Sequence, residues 1–261
     1  MVQPQPLPEP PPAEPKAPGM SLAARLLNIF AMPGAVFAEV SSTRRSVSNW
    51  LVPMVLAGLV GVASALMIYS QPAVRETLRA QHDKLVEKQV AAHKMSQADA
   101  DLVRRWLAMF TTRDCMMAFG GAGAVVGAVV RVCWWALVLW WLGRMFLKVR
   151  FGYGKALELA GLGTMINVLG MLVLVLLMVK LHRGVVTPGF TFSLTDLDSL
   201  RKDPLVLGTA SVFSFWSVVV MSMALARLSA APFLRAAWLV FAYWLLQESV
   251  CGLFGLAQFG F

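Results

Sequence analysis

Five stretches of this chain carry apolar side chains for long enough to cross a lipid bilayer, and no other feature constrains its fold as strongly. A bilayer's hydrocarbon core is about 30 Å thick, and a helix rising about 1.5 Å per residue crosses it in about 20 residues. The apolar runs fall at residues 50–70, 116–147, 156–179, 205–226 and 234–257. Lipid offers no partner for backbone N–H and C=O groups, so each run is read as a helix. The fold class that follows is an all-α polytopic membrane protein, a five-transmembrane-helix bundle over residues 50–257. Composition agrees. The chain is 58% hydrophobic and 14% charged, against about 25% charged in a typical soluble domain. These values exclude a disordered or collagen-like chain and argue against an ordinary soluble enzyme.

The runs differ in character. The first, WLVPMVLAGLVGVASALMIYS, has Trp50 and Tyr69 near its ends, where amphipathic rings favour the lipid–water boundary. Pro53 is expected in its first turn, where a missing N–H matters little. Gly58 and Gly61 would let a neighbouring helix approach closely. The second run is too long for one upright span, too short for two, and contains no turn signal. It reads as one tilted helix, and Gly123 and Gly127 form a GxxxG that makes them candidate helix-packing positions. In the third run Glu158 lies near the start and Asn167 near the middle. A polar loop over residues 180–204 follows, and the tight connection RLSAAPFLR joins the fourth run to the fifth.

Three segments lie outside these runs. Residues 1–20 form a tail whose first 18 positions hold 8 of the chain's 14 prolines. Proline lacks the N–H a helix needs, so the tail is expected to be extended and disordered, and Met20 is an alternative start. Residues 21–49 read as an amphipathic segment. Ser21 caps a helix with Leu22, Leu26, Ile29 and Phe30 on one face, and Pro33 interrupts it. This segment suits the membrane interface, and packing on the end of the bundle is the equal alternative. Residues 71–114 hold eight Lys or Arg, six Asp or Glu and two histidines. Two amphipathic helices are expected there, the second starting with Ser96 as N-cap and Asp99 reaching back. Its apolar face comprises Leu102, Val103, Trp106, Leu107 and Phe110. This insert is the natural place for a protein partner.

The net charge of +9 and pI of 9.9 fit basic loops facing anionic lipid head groups rather than nucleic acid. An N-terminus in the cytosol would leave ten Lys or Arg inside and twelve outside, with Arg131 in the membrane. Eight of those twelve lie in residues 71–114, a long segment with less influence on topology, so the short loops favour that orientation. Cys115, Cys133 and Cys251 form no CxxC, and His82, His93 and His182 have no metal-ligand spacing. No nucleophile motif or phosphate loop occurs, and no cofactor is expected. Two charges stand inside apolar runs, Arg131 and Glu248. A charge at bilayer depth costs about 2.5–3.5 kcal/mol on insertion scales, so it is read as functional by default. The expectation is a buried polar network of Arg131, Glu248, Asn167 and Gln247, and the alternative is snorkelling of the long side chains to the interface.

Four segments resemble the Yip family of integral membrane proteins (the Ypt/Rab-interacting type), in its bacterial form. LLNIFAMPGAVFAEV, residues 26–40, is similar to the family's helix, Pro, Phe lead-in, and WLVP to the start of its first span. FGYGKALELAGLGTMINVLG, residues 151–170, is similar to the segment where a glycine and a basic residue lead into the third span. Residues 211–246 resemble its fourth-span aromatic pattern and following hairpin. The resemblance covers residues 21–257 and implies a five-helix bundle with a cytosolic N-terminus. Eukaryotic members bind Rab-type GTPases and help shape or sort vesicle membranes, whereas bacterial members are inner-membrane proteins without a defined biochemical role. The function expected is therefore non-enzymatic: contacts with membrane lipids, with a protein partner through residues 71–114, and with a second copy. The competing reading is a small transporter or channel using Arg131, Asn167 and Glu248.

Overall fold

Helices account for all the regular structure in residues 19–181 and 204–253, which the structure, a computed structural model, describes. The expected extended tail, the core of the polar loop with His182, and the last turn of the fifth run lie outside the described residues. Two short helices, α1 (Leu22–Ala31) and α2 (Pro33–Ser42), precede the long α3 (Ser48–Ser70). The insert folds as α4 (Pro72–Ala91) and α5 (Gln97–Phe110). Then come α6 (Arg113–Met145), α7 (Tyr153–Gly163), α8 (Met165–Leu181), α9 (Pro204–Ser229) and α10 (Phe233–Leu253). The chain is thus an all-α polytopic membrane protein with an amphipathic helical insert. Among the described residues, four segments are long and apolar enough to cross a bilayer: Ser48–Ser70, Arg113–Met145, Tyr153–Leu176 and Val212–Ser229. The fifth run forms the 21-residue α10, whose apolar character is diluted by Arg235, Gln247 and Glu248.

Local signals explain the ends of several elements. The Ser21 hydroxyl accepts from the Ala24 N–H at 3.2 Å. Pro33 opens α2 at a position where its missing N–H costs nothing. Ser96 accepts from the Asp99 N–H at 3.1 Å and donates its hydroxyl to the Asp99 carboxylate at 2.7 Å. Pro53 differs from expectation: α3 starts at Ser48, so Pro53 sits inside the helix and deprives the Asn49 carbonyl of its i+4 donor. The second run is a single helix of 33 residues.

The third run keeps a helical backbone through Thr164, whose N–H is shared between the Ala160 and Gly161 carbonyls. A Cβ on Gly161 would overlap the Trp50 backbone, and one on Gly163 would meet Met221 Cε at 2.8 Å. The last turns of α7 are therefore pinched between α3 and α9, and this closeness is available only to residues without a Cβ. Along α3 and α6 the same device recurs, with Gly61 against Ala124 and Gly120 against the Tyr69 ring.

The core runs through α6, α7 and α9, with Leu139, Leu159, Leu162, Met221 and Leu225 fully buried. Ile29, Val36, Phe37 and Val40 of α1 and α2 belong to it and are also fully buried. One side of residues 21–49 therefore packs on the bundle, while Leu27, Met32 and Val47 stay exposed.

Candidate functional site

The polar residues expected to meet inside the membrane stand on three helices: Arg131 on α6, Asn167 on α8, and Gln247 and Glu248 on α10. Arg131 is partly buried on α6. One turn later, Trp134 donates its indole N–H to the Tyr243 hydroxyl at 2.8 Å, and Trp135 meets the same ring edge-on. Gln247, partly buried, lies one turn beyond Tyr243 on α10. Asn167 on α8 instead reaches Ser217 on α9, at 3.5 Å. Glu248 is exposed. Ion pairs among the described residues include Arg25–Glu39, Arg104–Asp101 and Lys155–Glu158. Glu248 follows Gln247 by one residue, about 100° round α10.

A Cβ on Gly123 or Gly127 would meet nothing within 4 Å in this chain, so that face is open. The close approach between α3 and α6 uses Gly61, Gly120 and Gly121 instead. GxxxG spacing marks a face of a helix, but it does not determine which neighbour, if any, packs there.

A different polar constellation is complete. It lies where α1, α2, the start of α3 and the start of α7 converge. Glu158 is 1% exposed, in a setting where a carboxylate without partners would be prohibitively costly. Its two oxygens accept from the Ser46 N–H at 3.1 Å, the Asn49 side-chain amide at 2.9 Å and Lys155 Nζ at 3.1 and 3.3 Å. Lys155 stands three residues before Glu158 on α7, so both project from one helix face. It also donates to the Val40 carbonyl at 2.8 Å. The Asn49 amide oxygen accepts from Arg25 Nη1 at 3.1 Å. Arg25 Nη2 pairs with Glu39 at 2.9 Å, and Glu39 accepts from the Met20 N–H at 2.8 Å. The contacts close into a ring: Glu39, Arg25, Asn49, Glu158, Lys155 and the carbonyl of Val40, the residue after Glu39.

This ring holds two carboxylates and two cations, so it is neutral. Beside it, the Arg45 guanidinium lies against Gly152 and Gly154, where a Cβ would collide with it at the first position and approach it at 3.4 Å at the second. These glycines therefore serve a close side-chain contact rather than a phosphate cradle. Among the described residues no group of three or more His, Cys, Asp or Glu is placed to hold a metal ion. Chemically the ring acts as a clamp: every charge has a partner of opposite sign, and the carboxylate at its centre is saturated with donors.

Sequence reasoning noted Glu158 only by position and passed over Arg25, Glu39 and Asn49. A signal was present. Glu39 is the one acidic residue between positions 19 and 70, and Glu158 the one between 115 and 195. An isolated acid beside an apolar run, with a lysine three residues away, marks a charge that must be neutralised inside the fold.

Span-length apolar helices and a neutral polar clamp at the end of their bundle define a multi-pass helical membrane protein. The Yip1 domain matches residues 27–254, which cover most of the chain, and the chain belongs to the Yip family. No curated protein and no solved structure matches it significantly.

Proposed function

We propose that this Yip-family protein is a non-enzymatic scaffold of the bacterial inner (cytoplasmic) membrane, with five spans and a cytoplasmic N-terminus. It acts through protein and lipid contacts that organise the membrane or a complex within it. The observation that carries this reading is the clamp. The buried Glu158 carboxylate is taken up in holding α1 and α2 to the bundle, an architectural use. The apolar runs and the family resemblance support the location and orientation. The α4–α5 insert is the contact element in this reading, because its charges are exposed and outside the spans. Self-association belongs to the same reading and would use the open face at Gly123 and Gly127.

Affinity purification of the full chain in mild detergent, followed by mass spectrometry, tests the reading. The control is a variant with residues 72–110 replaced by a short Gly/Ser linker and with unchanged thermal stability. A partner retained by the first, lost by the second and confirmed by reciprocal capture supports a scaffold. Stoichiometric recovery of the chain alone from both, together with solute flux in proteoliposomes, overturns it. Reporter fusions at the N-terminus test the orientation: activity of a cytoplasmic reporter is expected, and activity of a periplasmic one refutes it.

A further inference from the structure

The second helix of the insert carries two apolar faces, and the hairpin uses only one. Ala100, Val103 and Leu107 are buried or partly buried against the rest of the hairpin. Arg79 of α4 fastens that pairing by donating to the hydroxyl of Thr111 at 3.0 Å and to its carbonyl at 3.1 Å, at the C-terminal cap of α5. The other face is open. Leu102, Trp106, Met109 and Phe110 are 55%, 54%, 60% and 46% exposed. Their spacing of four, three and one residues places them in a stripe about 100° wide on a helix. Asp101 and Arg104 lie on the far side, paired at 3.1 Å, and Arg105 flanks the stripe beside Met109.

We propose that α5 lies in the membrane–water interface, at the end of the bundle opposite the clamp, with this stripe among lipid acyl chains and its arginines at the level of the phosphates. The occupant of the open face is the bilayer, and continuity with α6 is what identifies it. Trp106 stacks on Phe110 at 6.0 Å and 17°, and Phe110 meets Phe119 of α6 at 5.9 Å. Phe119 is itself 63% exposed and leads into Val125, Val126, Val129 and Val130, all exposed on a helix that spans the membrane. The aromatic row therefore extends the lipid-facing surface of a span onto α5 without a polar break. Depth is consistent as well. Phe119 lies six residues into α6, about 9 Å from its start at 1.5 Å per residue. The 33 residues of α6 rise about 50 Å against a hydrocarbon core of about 30 Å, so the first turns extend beyond that core unless the helix tilts. An amphipathic helix typically buries its apolar face about 5–10 Å into the boundary region, the level at which Phe110 meets Phe119. This inference rests on α6 as a span and not on the scaffold reading. It leaves the polar side of α4 as the surface of the hairpin open to the aqueous phase.

Spin labels test it in the full chain, reconstituted in nanodiscs of phosphatidylcholine and phosphatidylglycerol. Cys115, Cys133 and Cys251 are replaced, and single cysteines are introduced by Leu102→Cys, Met109→Cys or Glu87→Cys. Labels at 102 and 109 should collide several-fold more with oxygen than with a water-soluble nickel chelate, and the label at 87 should show the reverse. Nickel collisions at 102 and 109 matching those at 87 would overturn the proposal. So would protection of both from either reagent, which would show that a protein partner or a second copy covers the face. A variant with native cysteines guards against misfolding of the cysteine-free chain. Brominated lipid should quench the fluorescence difference between the parent and Trp106→Phe, and an unquenched difference refutes insertion.

Discussion

Replacing Glu158 with glutamine removes one charge from the centre of the clamp and keeps nearly the same volume. Three donor groups converge on the native carboxylate: the Ser46 N–H, the Asn49 amide and the Lys155 ammonium. A glutamine offers one acceptor oxygen where there were two and turns an N–H₂ toward a donor. Lys155 then keeps only the Val40 carbonyl, while its side chain stays 14% exposed. Removing one member of a buried ion pair costs about 3–5 kcal/mol, because the other charge is left uncompensated. Partial hydration of Lys155 places the expected loss near the lower end, about 3 kcal/mol. At about 2–4 °C per kcal/mol for a chain of this size, the apparent Tm should fall by about 6–12 °C. The assay is thermal unfolding in one detergent at one scan rate, since unfolding of such chains is often irreversible. A second variant, Glu158→Gln with Lys155→Met, removes the stranded cation and should recover at least half of the loss through non-additivity. A shift below about 1 °C for the single variant, or strict additivity in the double, would refute the clamp as an energetic unit.

Other positions give sharper contrasts. Gly161→Ala should destabilise by about 1–3 kcal/mol, because the new methyl meets the Trp50 backbone, which cannot rotate away. Gly123→Ala should be neutral or stabilising by up to about 1 kcal/mol, because its Cβ meets nothing within the chain; thermal unfolding of the two variants side by side checks the pair. Ala230 has φ of 50°, and the following Ala231 N–H closes on the Ala226 carbonyl at 3.1 Å at the end of α9. Relieving an alanine of this left-handed conformation gains about 1–2 kcal/mol, offset in part by glycine's greater freedom when unfolded, so Ala230→Gly should raise the apparent Tm by a few degrees. Glu248→Gln should leave the apparent Tm and the oligomeric state unchanged, as its exposed position implies, and a fall of several degrees would point to a buried partner.

Features demanded by lipid were legible in the sequence, because lipid imposes a local and cumulative requirement. Twenty apolar residues announce a span wherever they stand, and a serine just before a helical pattern, as at Ser21 and Ser96, announces a cap. Contacts between distant residues were not legible. Gly161 fits closely against α3 and Gly163 against α9, and neither neighbour is near in sequence. Asn49 and Glu158 are 109 residues apart, so periodicity could not join them. The GxxxG at Gly123 and Gly127 shows the converse. A spacing rule pointed to a face, while the tight contact with α3 falls at Gly120, one turn before Gly123 along that face.

The two ends of α3 show how the chain distributes its charge. Asn49 stands at one end and the insert begins just after the other, about 30 Å away at 1.5 Å per residue over 23 residues. At the first end the charges lie against the apolar core, where an unpaired ion would cost several kcal/mol, and they are matched one to one and closed into a ring. At the second end, in α4, Glu76, Asp83, Lys84, Glu87 and Lys88 are exposed, where solvent makes pairing worth little. A ring of this kind lends rigidity to α1 and α2 and presents few groups to a ligand. Exposed charges on α4, beside an aromatic face on α5, present many. Mutations at the clamp should therefore act on stability, with any loss of partner binding following from unfolding. Charge reversals on α4 should weaken binding at unchanged Tm, and the reverse pattern would place the contact surface at the clamp instead.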